Sequence, residues 1–403
     1  MNTEDCDVAV VGAGIHGAGV ALAAAAAGYT VRILERSAVA AGTSSRSSKL
    51  IHGGLRYLET GALHLVYECL HERAALLRLA PELVRRVPFY LPVYRDGTRG
   101  PARIRAGLGL YALLAGLGPD ARFAAVPRRA WGDLDGLDTR GLRAVFRYWD
   151  AQTDDAALTR AVLAAALRLG ARAAIPAELT GAELDAAGCT LRYRTQDSER
   201  ECRARVLVNA AGPWVNAVLE RIRPAVPALP LTLVQGAHLI LEGAPQRGVY
   251  YLESPRDHRG VFLMPWKGQA LLGTTETPYS GDPDAVHALD AERDYLLETL
   301  CRRFPARGTV RDVPVRDAFA GLRVLPADRN DPFRRSRETR LHPDREARPR
   351  VLSIYGGKLT AFRATARAVL ARIAPSLPQR RARADPDTVK LEPAPEPGRE
   401  EAG

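Results

Sequence analysis

Lysine is scarce in this sequence. Only four of the 57 basic residues are lysines, so arginine carries nearly all of the formal net charge of +11. The arginines are dispersed along the whole chain and are not interleaved with aromatic clusters, which argues against a nucleic-acid-binding surface. Two of the lysines, Lys49 and Lys358, fall inside glycine-rich blocks. In so lysine-poor a chain, this placement indicates a specific use of the ammonium group.

Cysteine is also sparse. The five cysteines are odd in number and scattered, with no C-x-x-C spacing. This pattern argues against a disulfide framework and against a zinc site, so we expect no metal, and it fits a reducing compartment. Long apolar runs are lacking too, since none reaches the roughly eighteen residues that a bilayer-spanning helix needs. A short polar start runs directly into an apolar strand, so we expect no signal peptide.

A strand–helix–strand pattern opens the chain of 403 residues, which is long enough for two intertwined domains. Residues 8–11 form a β-branched apolar run, typical of a buried parallel strand. An alanine-rich stretch follows and predicts a helix that Gly28 ends. Residues 31–34 predict a second strand. The pattern is that of a Rossmann-like βαβ unit.

The glycines of this unit have the spacing G-x-G-x-x-G. Gly12 suits the tight turn, Gly14 lets the backbone approach a pyrophosphate, and Gly17 lets the helix pack on the sheet. Glu35 closes the second strand, where a carboxylate can accept hydrogen bonds from ribose hydroxyls. With both strands and the acid in place, the pattern predicts dinucleotide binding.

Residues 44–59 (hereafter the 44–59 segment) form an unusual polar stretch, S-S-R-S-S-K-L-I-H-G-G-L-R-Y-L-E. Gly53 and Gly54 allow a close approach of the backbone to a ligand. Lys49 and Arg56 are donors that suit a phosphate or a carboxylate. A solvated polar loop is the plain alternative, but the dinucleotide motif just before this segment argues against it.

Residues 99–118 differ in composition from the segments before them. Arg99, Arg103 and Arg105 precede a short apolar, tyrosine-bearing run. A monotopic helix that lies in a membrane interface would have this pattern. A buried helix with exposed arginines at one end would have it as well, and the sequence leaves both open.

Further helices and strands are predicted along the rest of the chain. An Asp-Asp pair within residues 150–159 predicts a helix cap, and residues 206–209 predict a strand that returns to the nucleotide sheet. Residues 230–280 are rich in strand patterns, and residues 352–355 predict a last buried strand. We expect a helix to begin at 357–360 and a disordered, Pro- and Glu-rich tail at 386–403.

Seven blocks of this sequence resemble one family in sequence and order. They are G-A-G-I-H-G-A-G, S-S-K-L-I-H-G-G-L-R-Y-L-E, D-A-Q-T-D-D-A-A-L, N-A-A-G-P-W, G-T-T-E, G-L-R-V-L and Y-G-G-K-L-T. Together they resemble the FAD-dependent, quinone-linked glycerol-3-phosphate dehydrogenases of the glycine-oxidase-like group of flavoenzymes. The second block is much more specific than the first and the fourth, which the wider group shares.

The resemblance implies an α/β fold in which a Rossmann-like FAD-binding domain is intertwined with an α+β substrate domain built on an antiparallel sheet. We assign residues 5–95, 150–228 and 310–380 to the first and residues 96–149 and 229–309, which would face substrate and membrane, to the second. Family members usually continue into a helical C-terminal domain, which we expect to be absent here.

The resemblance also implies where FAD binds. The 44–59 segment would run along the isoalloxazine, and a helix N-terminus at 357–360 would favour negative charge on the reduced ring. The implied cofactor-binding residues are Gly12, Gly14, Gly17, Glu35, Arg36, Thr43, Ser44, Ser45, Ser47, Ser48, Lys49, His52, Gly53, Gly54, Ala211, Gly212, Trp214, Gly357, Lys358, Leu359 and Thr360.

A phosphorylated substrate needs several fixed cations. By the resemblance they are Arg56, Arg323, Arg337 and Lys358, with Tyr57 beside them, and Arg323 is also a candidate catalytic residue. His238 matches a family histidine and is our predicted catalytic base, because a histidine near its unperturbed pKa suits proton abstraction at neutral pH. His52 is the competing base.

The implied reaction is oxidation of sn-glycerol 3-phosphate to dihydroxyacetone phosphate by hydride transfer from C2 to flavin N5, with electrons passed to a quinone. The implied location is cytoplasmic and peripheral on the inner face of the cytoplasmic membrane, with residues 99–118 at the surface and a homodimer as a candidate assembly. The alternatives are an FAD oxidase or dehydrogenase of an amino acid or a 2-hydroxy acid, and an inactive flavin-binding scaffold.

Overall fold

Two β-sheets organise the computed structural model, which describes residues 5–326 and 339–395. Within those ranges the helices are α1 Ile15–Ala26, α2 Leu63–Leu79, α3 Pro101–Leu114, α4 Asp155–Arg168, α5 Val215–Leu219, α6 Asp290–Arg303 and α7 Phe362–Ile373. The strands are β1 Cys6–Val11, β2 Val31–Leu34, β3 Leu50–Ile51, β4 Val84–Tyr94, β5 Ala124–Ala125, β6 Leu142–Thr153, β7 Arg172–Ala174, β8 Glu178–Leu184, β9 Cys189–Arg194, β10 Glu199–Asn209, β11 Ile222–Arg223, β12 Leu231–Leu241, β13 Val249–Glu253, β14 Gly260–Trp266, β15 Gln269–Gly273, β16 Thr277–Tyr279, β17 Val315–Pro326, β18 Arg340–Pro343 and β19 Val351–Tyr355.

The first sheet is the predicted nucleotide-binding sheet. β1 pairs in parallel with β2 and with β10, and β10 pairs in parallel with β19. Helices α1, α4 and α7 pack together over one face and share a single apolar cluster with β1. Burial on both faces explains why residues 8–11 are uniformly apolar. The Rossmann-like prediction is confirmed.

Gly17 fixes how closely α1 approaches the first turn. A Cβ at this position would lie 1.9 Å from the carbonyl oxygen of Gly12, a distance that no side chain tolerates. Gly12 itself has φ +102°, in the region that favours glycine. The two glycines therefore set the short distance between strand and helix that a dinucleotide fold requires.

The second sheet is mainly antiparallel. β12 pairs along its whole length with β17, and β4 pairs with β6 over eleven positions. Helix α6 buries Leu296, Leu297 and Leu300 against this sheet. β4 and β17 belong to ranges that the sequence analysis assigns to the FAD domain, yet both pair in the second sheet. The sequence-based domain boundaries remain a prediction.

The C-terminal part of the described chain differs from the expected disordered tail. Residues 386–395 pack against the end of α2, where the amide of Leu391 donates to the carbonyl oxygen of Leu79 at 2.9 Å. The Leu391 side chain is 3% exposed and joins the apolar cluster of the first sheet. A single well-placed leucine and main-chain hydrogen bonds thus order a segment whose composition predicts disorder. Residues 396–403 lie outside the described residues.

Two helices differ in detail from expectation. Helix α7 begins at Phe362, after a turn at Thr360 and Ala361, and so starts later than the predicted 357–360. Helix α3 combines both interpretations of residues 99–118, because it buries Ile104, Leu108, Tyr111 and Ala112 while Leu110 and Leu113 stay exposed. No helix within the described ranges has the length and apolar character needed to cross a bilayer.

Candidate active site

A cavity of about 500 Å³ extends from the first turn of the nucleotide sheet to the polar face of the second sheet. It brings together most of the residues that the sequence analysis selected. Those lining it are Gly12, Gly14, Glu35, Arg36, Thr43, Ser44, Ser47, Ser48, His52, Gly54, Arg56, Tyr57, Ala211, Gly212, Trp214, His238, Arg323, Gly357, Lys358, Leu359 and Thr360. Their individual roles stay predictions.

Four of the described predicted residues do not line the cavity. Gly17 packs under the first turn, and Ser45, Lys49 and Gly53 lie in the 44–59 segment without lining the cavity. Lys49 is buried and its ammonium pairs with Asp155, so it stabilises the 44–59 segment and does not face the cavity. Arg337 falls outside the described residues.

The nucleotide end of the cavity presents main-chain amides and a carboxylate. Ser44 Oγ accepts a hydrogen bond from the amide of Ile15 at 2.9 Å, at the start of α1. Glu35 accepts the amides of Ala13 and Ser37, both at 2.9 Å. A carboxylate has about four lone-pair positions, so Glu35 retains acceptor capacity for a ribose. Helix N-terminal amides are suited to pyrophosphate.

Asp155 anchors the first half of the 44–59 segment. Its carboxylate accepts the amide of Ser47 at 2.9 Å and the hydroxyl of the same residue at 2.6 Å. The Lys49 ammonium lies 2.6 Å from its other oxygen, and both side chains are almost completely buried. Burial raises the pKa of Asp155, and the positive charge of Lys49 opposes that rise. The pair therefore depends on both charges being present.

Asp150 anchors the second half through a tyrosine. The Tyr111 hydroxyl donates to Asp150 at 2.7 Å and accepts the Gly53 amide at 2.8 Å. Arg73 pairs with the same carboxylate and donates to the Trp149 carbonyl oxygen. Burial raises the pKa of Asp150, and the guanidinium of Arg73 offsets only part of that rise. Helix α3 thus stabilises the 44–59 segment through the hydrogen bonds of Tyr111.

His238 lies on β12 and is buried. Its Nε2 is 2.9 Å from Ser48 Oγ, and its ring stacks on Phe319 with centroids 5.0 Å apart. Burial, with the charges of Arg323 and Lys49, lowers the pKa of His238 well below its usual value. This corrects the expectation of an unperturbed histidine. The physical consequence is a ring that stays neutral, and able to accept a proton, across the neutral pH range.

His52, the competing base, is held by the turn that precedes α7. Its amide donates to Thr360 Oγ1 at 3.1 Å, and its ring meets Phe262 edge to face. Lys358 follows the paired glycines of the same turn, and its Nζ lies 3.5 Å from the centroid of the Tyr57 ring. That ammonium is buried and has no hydrogen-bond partner among the described residues.

Arginines converge at the far end of the cavity. Arg56 Nη2 lies 3.2 Å from Glu276 Oε1, and Arg323 donates to the Thr275 carbonyl oxygen at 3.2 Å. Arg259 donates to the main-chain carbonyl oxygen of Glu276 at 3.3 Å. The side chain of Glu276 is 6% exposed. This end can bind an anion of more than one charge.

Sequence reasoning missed several residues that shape this cavity. They are His16, Asp150, Asp155, Arg259 and Glu276. A signal existed for four of them, because His16, Asp150, Asp155 and Glu276 fall inside the quoted family blocks. His16 directly precedes Gly17 of the glycine motif, and burial of its ring lowers its pKa to about 4. Nothing in the local pattern marks Arg259.

The class of protein follows from this fold and cavity together. The sequence model of the family described as DAO, FAD dependent oxidoreductase, matches residues 7–372. The chain belongs to this family and is an FAD-dependent oxidoreductase.

Individual relatives are similar over nearly the whole chain. D-erythritol 1-phosphate dehydrogenase of Brucella abortus is 36% identical over 384 residues, which cover 93% of this chain and 75% of that protein. Aerobic glycerol-3-phosphate dehydrogenase of Escherichia coli K12 is 33% identical, covering 92% and 74%. The structure of glycerol-3-phosphate dehydrogenase from Bacillus halodurans complexed with FAD has a TM-score of 0.73 at 26% identity, covering 96% of this chain and 68% of that one.

The residues present fit FAD. Amides at the start of α1 and the Glu35 carboxylate suit its adenosine diphosphate half. Two buried donors on cavity-lining residues, Lys358 Nζ and Trp214 Nε1, have no hydrogen-bond partner among the described residues. Unpaired buried donors are costly, so a polar ligand in this cavity would satisfy them.

Removing one charge of the Lys49–Asp155 pair should be strongly destabilising. For Asp155→Asn we expect a loss of about 3–5 kcal/mol in the free energy of unfolding, because Lys49 is left buried and unpaired. The matched control is Glu183→Gln, which breaks the exposed Arg192–Glu183 pair and should cost under about 1 kcal/mol. Urea denaturation of the holoenzyme measures both.

The double variant Lys49→Met/Asp155→Leu removes both charges and should recover much of that loss. Equal destabilisation by Asp155→Asn and Glu183→Gln would show that the buried pair does not anchor the 44–59 segment.

Proposed function

We propose that the protein oxidises glycerol 3-phosphate to dihydroxyacetone phosphate. The observation that carries the proposal is the cluster of arginines at the far end of the FAD cavity, where Arg56 and Arg323 both approach Glu276, in the same cavity as Lys358 and a buried histidine of lowered pKa. A phosphate ester needs several fixed cations, whereas a lone carboxylate needs fewer. The names of the relatives support the same substrate class.

Each group has a defined task in this reaction. The bound flavin supplies a hydride acceptor at N5 for the hydrogen on C2 of the substrate. The cationic cluster holds the phosphate, and His238 accepts the proton of the C2 hydroxyl. The hydrogen bond between Ser48 Oγ and His238 Nε2 orients the ring, and the buried position excludes bulk water from the proton acceptor. His52 remains the alternative base.

The proposed electron acceptor is a membrane quinone, reached by docking at the inner face of the cytoplasmic membrane. Helices α2 and α3 pack against each other. Large apolar side chains are exposed on both helices and just after α3, and α3 also carries arginines of the 99–118 region. These apolar residues are Leu63 and Tyr67 on α2, Leu110 and Leu113 on α3, and Leu117 beyond its end. Apolar side chains flanked by arginine suit the interface of an anionic bilayer.

D-Erythritol 1-phosphate is a second candidate substrate, because the relative of that name is 36% identical over 93% of this chain. The arginine cluster would hold either phosphate ester in the same way. Amino acids and 2-hydroxy acids, and an inactive scaffold, are the remaining alternatives. A substrate panel followed by flavin absorbance separates all of them.

Anaerobic addition of glycerol 3-phosphate should bleach the flavin of the purified protein. Arg56→Ala and Arg323→Ala should each raise the apparent KM for the phosphate ester by tenfold to a hundredfold or more, since a hydrogen bond to a charged group contributes about 1.5–3 kcal/mol. Arg140→Ala, at a surface residue, is the control and should change nothing. Flavin unmoved by millimolar glycerol 3-phosphate, or unimpaired variants, would contradict this substrate.

The pH profile tests the role of His238. Because its pKa is lowered, the neutral, proton-accepting form persists as pH falls through 6.5, and activity is lost only at pH values well below that. We expect kcat at saturating substrate to show no inflection near 6.5. Saturation removes the effect of the second ionisation of the phosphate, near 6.

The variant His238→Gln should lower kcat by about 10²–10⁴-fold, the usual contribution of a general base. His64→Gln, at an exposed histidine, is the control. An inflection near 6.5, or a His238→Gln variant with normal kcat, would transfer the role of base to another group such as His52.

Vesicle sedimentation tests the docking surface. With vesicles of phosphatidylethanolamine and phosphatidylglycerol, Leu113→Glu/Leu117→Glu should weaken binding at least tenfold, since each 1.4 kcal/mol of lost burial is worth that factor. Leu167→Glu is the matched control, because this leucine is also exposed but lies on α4. Equal binding by the two variants would reject docking through α3.

A further inference from the structure

Glu276 is a carboxylate surrounded by guanidinium groups. Arg56 Nη2 lies 3.2 Å from its Oε1, and Arg323 Nη1 lies 3.9 Å from the same oxygen. Arg259 Nη1 lies 3.9 Å from Oε2. The three arginines come from three separate parts of the chain, and all four side chains line the cavity.

We propose that Glu276 is a positioning residue that gathers Arg56, Arg259 and Arg323 into one cationic cradle for a phosphate dianion, and that Arg259 is a phosphate-binding residue. The cationic cradle is defined by these four side chains. The inference rests on the proposed phosphate-ester substrate, but it assigns roles to two residues that the substrate proposal does not use.

The charge of the cradle matches its ligand. Within the cavity, three guanidinium groups and one carboxylate sum to +2, and a phosphate ester carries between −1.5 and −2 at neutral pH. A second carboxylate, Asp257, lies 3.4 Å from Arg259 Nε but does not line the cavity. Without the Glu276 carboxylate, three guanidinium groups would stand close together in a partly buried site and would repel one another. Glu276 thus permits a high local density of donors without an excess of charge.

The three arginines are held to different degrees. Arg323 donates to the carbonyl oxygen of Thr275 and to Thr274 Oγ1, so the main chain beside Glu276 already fixes it. Arg259 reaches the main-chain carbonyl oxygen of Glu276 as well as its carboxylate. Arg56 meets the carboxylate directly.

The electrostatics of Arg56 agree with this role. Burial lowers the pKa of the Arg56 guanidinium, but the charge of Glu276 overcomes that effect and raises it. Arg56 also lies closest to the carboxylate, at 3.2 Å against 3.9 Å for Arg259 and for Arg323. It should therefore be the arginine most sensitive to loss of the Glu276 carboxylate.

The experiment compares the wild-type holoenzyme with Glu276→Gln, Arg259→Gln and Arg256→Gln. Arg256 lies three residues before Arg259 and forms an exposed pair with Glu298, so it is a matched control. Isothermal titration with inorganic phosphate measures the cradle directly, without turnover. Anaerobic flavin bleaching with glycerol 3-phosphate tests whether this substrate reduces the flavin, and steady-state assays with an artificial electron acceptor give the KM and kcat.

We expect Glu276→Gln and Arg259→Gln each to weaken phosphate binding at least tenfold and to raise the KM by a similar factor. The kcat should change less than threefold, and Arg256→Gln should match the wild type. Arg259→Lys keeps the charge and should restore part of the binding. If Glu276→Gln fails to fold, the two Arg259 variants decide the question.

Unchanged or tighter phosphate binding by Glu276→Gln would overturn the proposal, because the carboxylate would then only reduce the charge. A wild-type protein that does not bind phosphate would overturn it as well. If phosphate binding depends on Glu276 but glycerol 3-phosphate leaves the flavin unbleached, the proposed cradle is supported and the proposed substrate is rejected. If the flavin bleaches but Glu276→Gln and Arg259→Gln both bind phosphate normally, the cradle is rejected and the proposed substrate is kept.

Discussion

The cavity depends on two buried aspartates that hold one irregular stretch of chain. The 44–59 segment contributes only two residues, Leu50–Ile51, to a strand, so main-chain pairing does little to fix its course. Asp155 and Asp150 supply the missing constraints, the first by bonding Ser47 and Lys49, the second by holding Gly53 through Tyr111. Asp150 lies near the end of β6 and Asp155 begins α4, so both anchors come from one short stretch of chain.

The position of this segment also determines where the proposed base and the proposed anion site lie. Ser48, in its first half, contacts His238 on the second sheet, and Arg56, near its end, contacts Glu276. The proposed base and the proposed anion site are therefore positioned by one stretch that is itself anchored at two buried charges. In such a place the loss of one partner is more damaging than the loss of both.

The sequence could predict the nucleotide sheet, because its signals are local: apolar strands, glycines at fixed spacing and an acid at the end of β2. It could not predict the pairs that shape the cavity. Lys49 and Asp155 are 106 positions apart, and Arg56 and Glu276 are 220 apart, so only the folded topology brings them together. The order of residues 386–395 was missed for the same reason, since Leu391 packs against a distant helix.

The charges that would bind the substrate also act on the base. Arg323 and Lys49 both lower the pKa of His238. Lys49 is already neutralised by Asp155, whereas Arg323 faces the cavity. Under the proposed function, a phosphate dianion bound near Arg323 would offset its positive charge and make His238 a stronger base when substrate is present, while burial, the largest cause, would still hold its pKa below the usual value. The site would then couple anion binding to proton abstraction through electrostatics alone, without a conformational change.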